Sequence, residues 1–459
     1  MTLWTANDAV AATGGTTTGD WVVSGLSIDT RSIQVGEMFI ALIDQRDGHD
    51  FVANALKAGA TAALVSRIPD GVPADAPLLV VDDVLIALQD MARFARARTN
   101  AKVIGVTGSV GKTSTKEMLR TALSSSGRVH AAERSFNNHW GVPLTLARMP
   151  ADSDFAVIEI GMNHAGEIRP LAKLANLDVA IVVNVAAVHM EAFESIEQIA
   201  HAKAEIFEGL DAKATAIVNA DLPTTQILTK MVAQVGAKLV TFGTNKSADY
   251  RVLQIEGAGA VTKVIADIDG QERWYEFQAA GNHFAMNALA VLAAGVAVGC
   301  DLEKVILGMA KWTAPDGRGA RHVVACNGGE ITLIDESYNA NPSSMASALA
   351  VLGACEIDGR RIAILGEMGE LGETKLQRHA ELAALDVVAD VDQFHLVGPM
   401  MQEMFNALPV EKRGVWVKTA DELCEVIKSL LTAGDTVMVK GSNYTAVSRV
   451  VDAIKNMNA

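Results

Sequence analysis

The sequence predicts an α/β protein in three sections, the central one built on a mostly parallel sheet flanked by helices. Two observations predict this. Apolar runs of strand length recur along most of the chain, and those between residues 99 and 313 ("AKVIGVTG", "DFAVIEIG", "DVAIVVNV" and "ATAIVNAD") are followed by a loop and then a helical pattern. Such alternation sets strands side by side in parallel, with crossover helices on both faces. The chain also has 459 residues, half of them hydrophobic, which is enough for more than one core.

The first section, 1–98, carries short strand-like runs such as "EMFIALI" and "APLLVVDD" between turn residues, and the helical run "LIALQDMARFARAR" closes it. The second is 99–313. The third, 314–459, repeats the strand–loop–helix theme with "RIAILGEMG", "QFHLVG" and "DTVMVKGS". Between the last two, "TAPDGRGARH" concentrates glycine, proline and charge and is expected to be a hinge. A formal net charge of -15 argues against a general nucleic-acid or membrane-surface binder, although local pockets can still hold phosphorylated ligands. Cys300, Cys326, Cys355 and Cys424 are scattered, without zinc-like spacing, as expected in a reducing cytosol. No signal-peptide pattern and no membrane-length apolar run is visible, so the expected location is cytoplasmic.

The chemistry begins at "TGSVGKTSTKEML", residues 107–119. Val103, Ile104 and Val106 predict a buried strand, Gly108 and Gly111 a tight turn, and Met118, Leu119, Ala122 and Leu123 one helical face. Strand, glycine loop and helix is the setting in which backbone N–H groups and a helix N-terminus hold phosphate. Lys112 would reach the β- and γ-phosphates, and the Thr113 hydroxyl would hold Mg2+. An ordinary glycine turn is the alternative. Three more polar residues follow neighbouring apolar runs: Glu159, Asn184 and His189. Ligands of open α/β sheets bind beyond the carboxyl ends of strands, so these residues converge on one rim. Singly, each would be read as structural or as surface. In "IEQIAHAKAEIFEGL", Ile199, Ala202, Ile206 and Leu210 face the core, and Lys203 beside them reads as a lysine snorkelling to the wet edge.

These motifs resemble the Mur ligase family of bacterial cell-wall synthesis. "TGSVGKT" fits that family's ATP loop, T-G-[ST]-x-G-K-[TS], in which Val106 in place of a first glycine is normal. "NHWGVPLTLARM" resembles the substrate-facing segment that follows. "SIDTRSIQVGEMFIALIDQRDGHDFV", "EIGMNHAGEI", "VHMEAFESIEQIAHAKAEIF", "DESYNANPSSM" and "ILGEMGELGE" are similar to further family segments, so the resemblance runs over nearly the whole chain. Two positions depart: Glu336 replaces a second Asp, and Phe284 stands where related ligases often have Asn.

The resemblance implies a UDP-substrate-binding section, a central ATP-binding section and a C-terminal Rossmann-like section. It implies an ATP-dependent ligase of peptidoglycan precursor synthesis, serving cell shape and division. That enzyme would join D-alanyl-D-alanine to UDP-N-acetylmuramoyl-tripeptide through an acyl phosphate, with ADP and phosphate as by-products. Two Mg2+ ions and a carbamylated Lys203 would assist, with Thr113, Glu159, His189 and Lys203 as the metal set. Lys112, Lys203, His189 and Arg318 would be catalytic. Nucleotide would be held by Thr107, Gly108, Ser109, Val110, Gly111, Lys112 and Thr113, with Asn287, Arg318, Glu336 and Tyr338. Substrate contacts would come from Ser27, Thr30, Arg31, Asp47, Gly48 and His49 in the first section, and from Asn137, Asn138, Asn339 and Asn341. No nucleic-acid partner and a monomer are expected. On the residues alone the competing readings stay open: another Mur-type or folylpolyglutamate-type amide ligase, a nucleotide-switched binding protein, or a loop that is only scaffolding.

Overall fold

The computed structural model describes residues 2–457 except 74, 134, 189, 258–260 and 327. Its strands fall into three larger sheets and one two-stranded pair.

In the first sheet, strands Gly25–Ser27, Glu37–Ile40, Ala62–Val65 and Leu78–Val80 run parallel, and Thr16–Thr17 adds antiparallel to the last of these. The helix Val84–Ala97 is capped by Asp83, whose side chain accepts from Ile86 N. Its apolar face, including Leu88 and Met91, joins a core shared with Leu144 and Ala147 of the helix Gly141–Ala147. Trp4 is fully buried there, its Nε1 donating to Ala147 O at 2.9 Å with the Arg98 guanidinium 4.3 Å over its ring.

The central sheet has nine strands, and the four quoted runs supply Lys102–Thr107, Phe155–Glu159, Val179–Val182 and Thr215–Asn219, all parallel. Lys102–Thr107 lies between Phe155–Glu159 and Val179–Val182. Val129–Ala131 lies beyond the first of these neighbours and Thr215–Asn219 beyond the second. The winding direction therefore reverses at Lys102–Thr107, which opens a crevice beyond its carboxyl end. The strands Tyr250–Glu256, Thr262–Ile268 and Gln271–Phe277 extend the sheet as an antiparallel meander. Asp269 and Gly270 turn its second hairpin with φ of 52° and 77°. Positive φ at both central residues is the backbone of the type I′ turn that suits twisted strands.

The third sheet has six strands, parallel except for the antiparallel hairpin Ala320–Cys326 and Gly329–Glu336. The expected hinge segment is a turn stitched onto this hairpin. Gly319 N donates to Asp335 O at 2.8 Å and Tyr338 N to Gly317 O at 3.1 Å. Arg318 is therefore carried by the third sheet. Gly317 and Gly319 beside it have φ of +74° and +104°, and a Cβ on Gly317 would sit 3.0 Å from Tyr338 Cβ. Among the described residues, no helix is long and apolar enough to cross a membrane.

Candidate functional site

The loop after Lys102–Thr107 turns at Gly111, whose φ of 83° is left-handed, and the helix Lys112–Leu123 begins immediately. The helix is anchored as its sequence predicts, with Met118, Leu119, Ala122 and Leu123 fully buried. Asn184, just past its strand, fixes the loop: its Oδ1 accepts from Val110 N at 3.0 Å. Ser109 Oγ donates to Ala186 O at 3.0 Å. Gly108 has room for little else, since a Cβ there would lie 3.2 Å from Val183 Cβ and 3.3 Å from Asn184 N.

A cavity of about 960 Å³ opens over this loop. Ser109, Val110, Gly111, Lys112 and Thr113 form its floor. Asn137, Asn138 and Glu159 line one side, while His283, Phe284 and Asn287 line another. Arg318, Glu336, Tyr338, Asn339 and Asn341 close it from the third sheet. Thr107 is buried at the strand end, its hydroxyl without a hydrogen-bond partner among the described residues.

One hydrogen-bonded chain crosses the cavity. Thr113 Oγ1 donates to Glu159 Oε2 at 2.8 Å, and Asn137 Nδ2 donates to Glu159 Oε1 at 2.8 Å. Ser135 Oγ lies 3.1 Å from Thr113 Oγ1 and accepts from Arg318 Nη2 at 3.3 Å. Since the Thr113 proton is committed to Glu159, Ser135 donates to Thr113. The Arg318 guanidinium also stacks 3.9 Å from the Tyr338 ring centroid. The Thr113 hydroxyl and the Glu159 carboxylate, held side by side, are a hard-oxygen pair of the kind that suits Mg2+.

Lys112 Nζ folds back to donate to its own loop, at Gly108 O, 2.7 Å away. Desolvation lowers its pKa, the Glu159 charge opposes that shift, and the Arg318 charge adds to it. Lys203 departs from the sequence reading. It is only 1% exposed, so it does not snorkel to a wet edge. The helix Ile196–Ala204 turns it inward, and no described carboxylate pairs with it. Burial, and then the nearby Lys112 charge, hold its pKa well below the usual lysine value. His189 lies outside the described residues.

The other candidates divide. Phe284 is 2% exposed and packs against Trp312 and His283, with centroid distances of 5.1 and 4.0 Å. An amide there would lose that packing. Glu336 Oε2 accepts from Lys440 Nζ at 3.2 Å. Asn287 is 4% exposed, and among the described residues its Nδ2 has no partner, which leaves a donor beside the loop. Asn341 caps the helix Pro342–Gly353 in a reciprocal box with Ser344, and Asn138 Oδ1 accepts from Gly141 N at 2.9 Å, so both have local structural work. Asn339 Oδ1 accepts from Ala340 N at 2.8 Å.

The six first-section candidates do not line this cavity, although Gln89 of that section does. Arg31 is clamped on Asp29, with Nη2 to Oδ2 at 2.7 Å. Asp47 accepts from Arg67 Nη2 at 2.8 Å and from His49 N at 2.9 Å; Arg67 first, then these other hydrogen bonds, holds its carboxyl well below the usual range. His49 is buried and its Nε2 accepts from Ser66 N at 2.9 Å. Ser27 is buried and donates to Asp29 O at 3.2 Å, Gly48 packs against the Leu42 backbone, and Thr30 is partly exposed. Sequence reasoning missed Ser135 and Lys440. Nothing local marks Ser135, whereas Lys440 could have been noticed as a cation ending the apolar run "TVMV".

The model of the Mur ligase middle domain matches residues 106–295, and that of the Mur ligase glutamate ligase domain matches 321–443. The UDP-N-acetylmuramoyl-tripeptide–D-alanyl-D-alanine ligase of Escherichia coli is 34% identical over 443 residues, covering 95% of this chain and 94% of that one. The ligase of the same name from Bacillus subtilis is 32% identical over 434 residues, covering 94% and 93%. A crystal structure of MurF from Acinetobacter baumannii superposes with a TM-score of 0.85 at 27% identity, over 99% of both chains. With two family models across the central and third sheets, and such relatives along nearly its whole length, the chain belongs to the Mur ligase family.

Proposed function

We propose that this chain joins the terminal carboxylate of a UDP-N-acetylmuramoyl-tripeptide to the amine of D-alanyl-D-alanine, converting ATP to ADP and phosphate. The observation that carries the reading is the hydrogen-bonded chain Arg318–Ser135–Thr113–Glu159–Asn137. It links the third sheet, the phosphate loop and a second strand end across one cavity. The names of the relatives supply the substrates.

A carboxylate is a poor electrophile, and its charge repels a γ-phosphate. The loop amides and the N-terminus of the helix Lys112–Leu123 would receive the phosphates, and Lys112 would exchange its Gly108 contact for them. Thr113 and Glu159 would hold Mg2+, which when bound supplies further neutralisation of the phosphate charge. Arg318, carried by the third sheet, would bring its cation to the transferring phosphoryl group as the cavity closes. Asn287 and Tyr338 would border the nucleotide. The acceptor oxygen takes the γ-phosphoryl group to give an acyl phosphate, the amine displaces phosphate, and closure keeps water from that intermediate.

Lys203 fits a further modification. Its dry setting favours the neutral amine, which adds CO2 to give a carbamate and one proton. The resulting anion would answer the Lys112 charge and offer a second metal position. The function is tested by mass spectrometry of the product from ATP, D-alanyl-D-alanine and a panel of UDP-muramoyl tripeptides. A tripeptide acceptor extended by two alanines supports the proposal. Phosphate release with no extended acceptor, or extension by a different amino acid, contradicts it.

A further inference from the structure

Outside the cavity, three potential ligands gather beneath the turn that carries Arg318. Asp316 lies in the turn, His322 on the strand Ala320–Cys326 and Asp335 on the strand Gly329–Glu336. The hairpin register pairs Ala320 with Asp335, so His322, two residues on, is the diagonal same-face neighbour of Asp335. One donor atom from each residue lies within 4.8 Å of the others.

The contacts inside this group are unusual for a plain ion pair. His322 Nε2 is enclosed and makes no hydrogen bond among the described residues, yet Asp316 Oδ1 stands 3.2 Å from it. The nitrogen and oxygen are close without the alignment a shared proton requires. Two ligands of one tetrahedral zinc-like ion, with bonds of about 2.0–2.1 Å, stand roughly 3.3 Å apart. Asp335 is 4% exposed, and its Oδ1 is already occupied by Ser337 N and Oγ, at 3.1 and 2.6 Å. That leaves Oδ2 to serve a cation. The competing cation is Lys455, whose Nζ is 3.7 Å from Asp316 Oδ1 on a side chain that is 29% exposed.

The geometry points to a divalent transition-metal site formed by Asp316, His322 and Asp335. One imidazole and two carboxylates suit a borderline ion such as Zn2+ or Co2+ better than Mg2+, which prefers oxygen alone. Solvent would complete the coordination. Asp316 precedes Arg318 by two residues, so an ion here would pin the turn to the third sheet and fix the direction from which Arg318 enters the cavity. This site is independent of the substrates proposed above.

Chelator-treated full-length protein, without nucleotide or Mg2+, is titrated with Co2+ and followed by visible absorption and thermal melting. The expected result is one equivalent bound with the intense absorption of a four- or five-coordinate ion, and a raised melting temperature. His322→Gln, at a partly exposed side chain, and Asp316→Asn, at an exposed one, are expected to weaken binding at least tenfold and abolish the melting shift, with circular dichroism unchanged. Wild-type protein that takes up no Co2+, or variants that bind it as tightly as wild type, would overturn the assignment.

Discussion

Replacing Lys112 by Met separates the residue's work in catalysis from its cost to the fold. Its Nζ donates to Gly108 O at 2.7 Å, and its surroundings lower its pKa chiefly by desolvation. The charged form is thus less favourable in the folded protein than in the unfolded chain. Between the lowered folded value and the ordinary value of about 10.4, the unfolded chain binds more protons, so this lysine's contribution to stability rises with pH. Methionine removes the buried charge and keeps most of the side-chain volume. Lys112→Met is therefore expected to be at least as stable as wild type at neutral pH, with an advantage that shrinks as pH rises towards the lysine range. Turnover should fall about 10²- to 10³-fold, roughly 3–4 kcal/mol, the scale for losing one preorganised charge contact in the transition state. Urea unfolding at several pH values and ADP release under saturating substrates give the two readouts. Near-normal turnover would refute the phosphate role, and marked destabilisation at neutral pH would refute the desolvation argument.

Arg318→Lys keeps the charge but loses the planar stack on Tyr338 and the reach to Ser135, so kcat should drop about five- to thirtyfold with KM for the UDP-substrate little changed; an unchanged kcat would leave Arg318 as part of the turn only. Phe284→Ala should lose about 3–5 kcal/mol in urea unfolding, because the ring is enclosed against Trp312 and His283, and a loss below about 1 kcal/mol would contradict that packing. Lys203→Ala should lose most activity and regain part of it with acetate. In wild type supplied with labelled CO2, a carbamate carbon resonance should appear that this variant lacks, and equal spectra would remove the modification.

The parallel core was legible because each strand is a continuous apolar run buried on both faces, and the phosphate loop because Gly111, Lys112 and Thr113 are contiguous. The antiparallel meander was not drawn, although its signals exist. Thr262, Val264, Ala266 and Ile268 are buried at alternate positions, and Asp269-Gly270 is a hairpin dipeptide. Period-two alternation over seven residues is weaker than the uninterrupted runs beside it. The wet-edge reading of Lys203 fails for another reason. A helical period says which residues share a face, and only the elements packed around that helix decide how wide the dry face is. Ser135 was invisible because its role comes from two partners, Thr113 at a separation of 22 residues and Arg318 at 183. The first-section motifs resembled a substrate site, but their hydrogen bonds run largely to one another and to neighbours such as Arg67 and Ser66. Such short-range ties hold a loop's shape and say nothing by themselves about a ligand.

The most direct test labels the acceptor carboxylate of the UDP-muramoyl tripeptide with ¹⁸O and follows the label through one turnover with ATP and D-alanyl-D-alanine. If that carboxylate is phosphorylated and the amine then displaces phosphate, one labelled oxygen leaves with the released phosphate and the other stays in the new amide. Released phosphate without label, alongside normal product, would contradict ligation through an acyl phosphate.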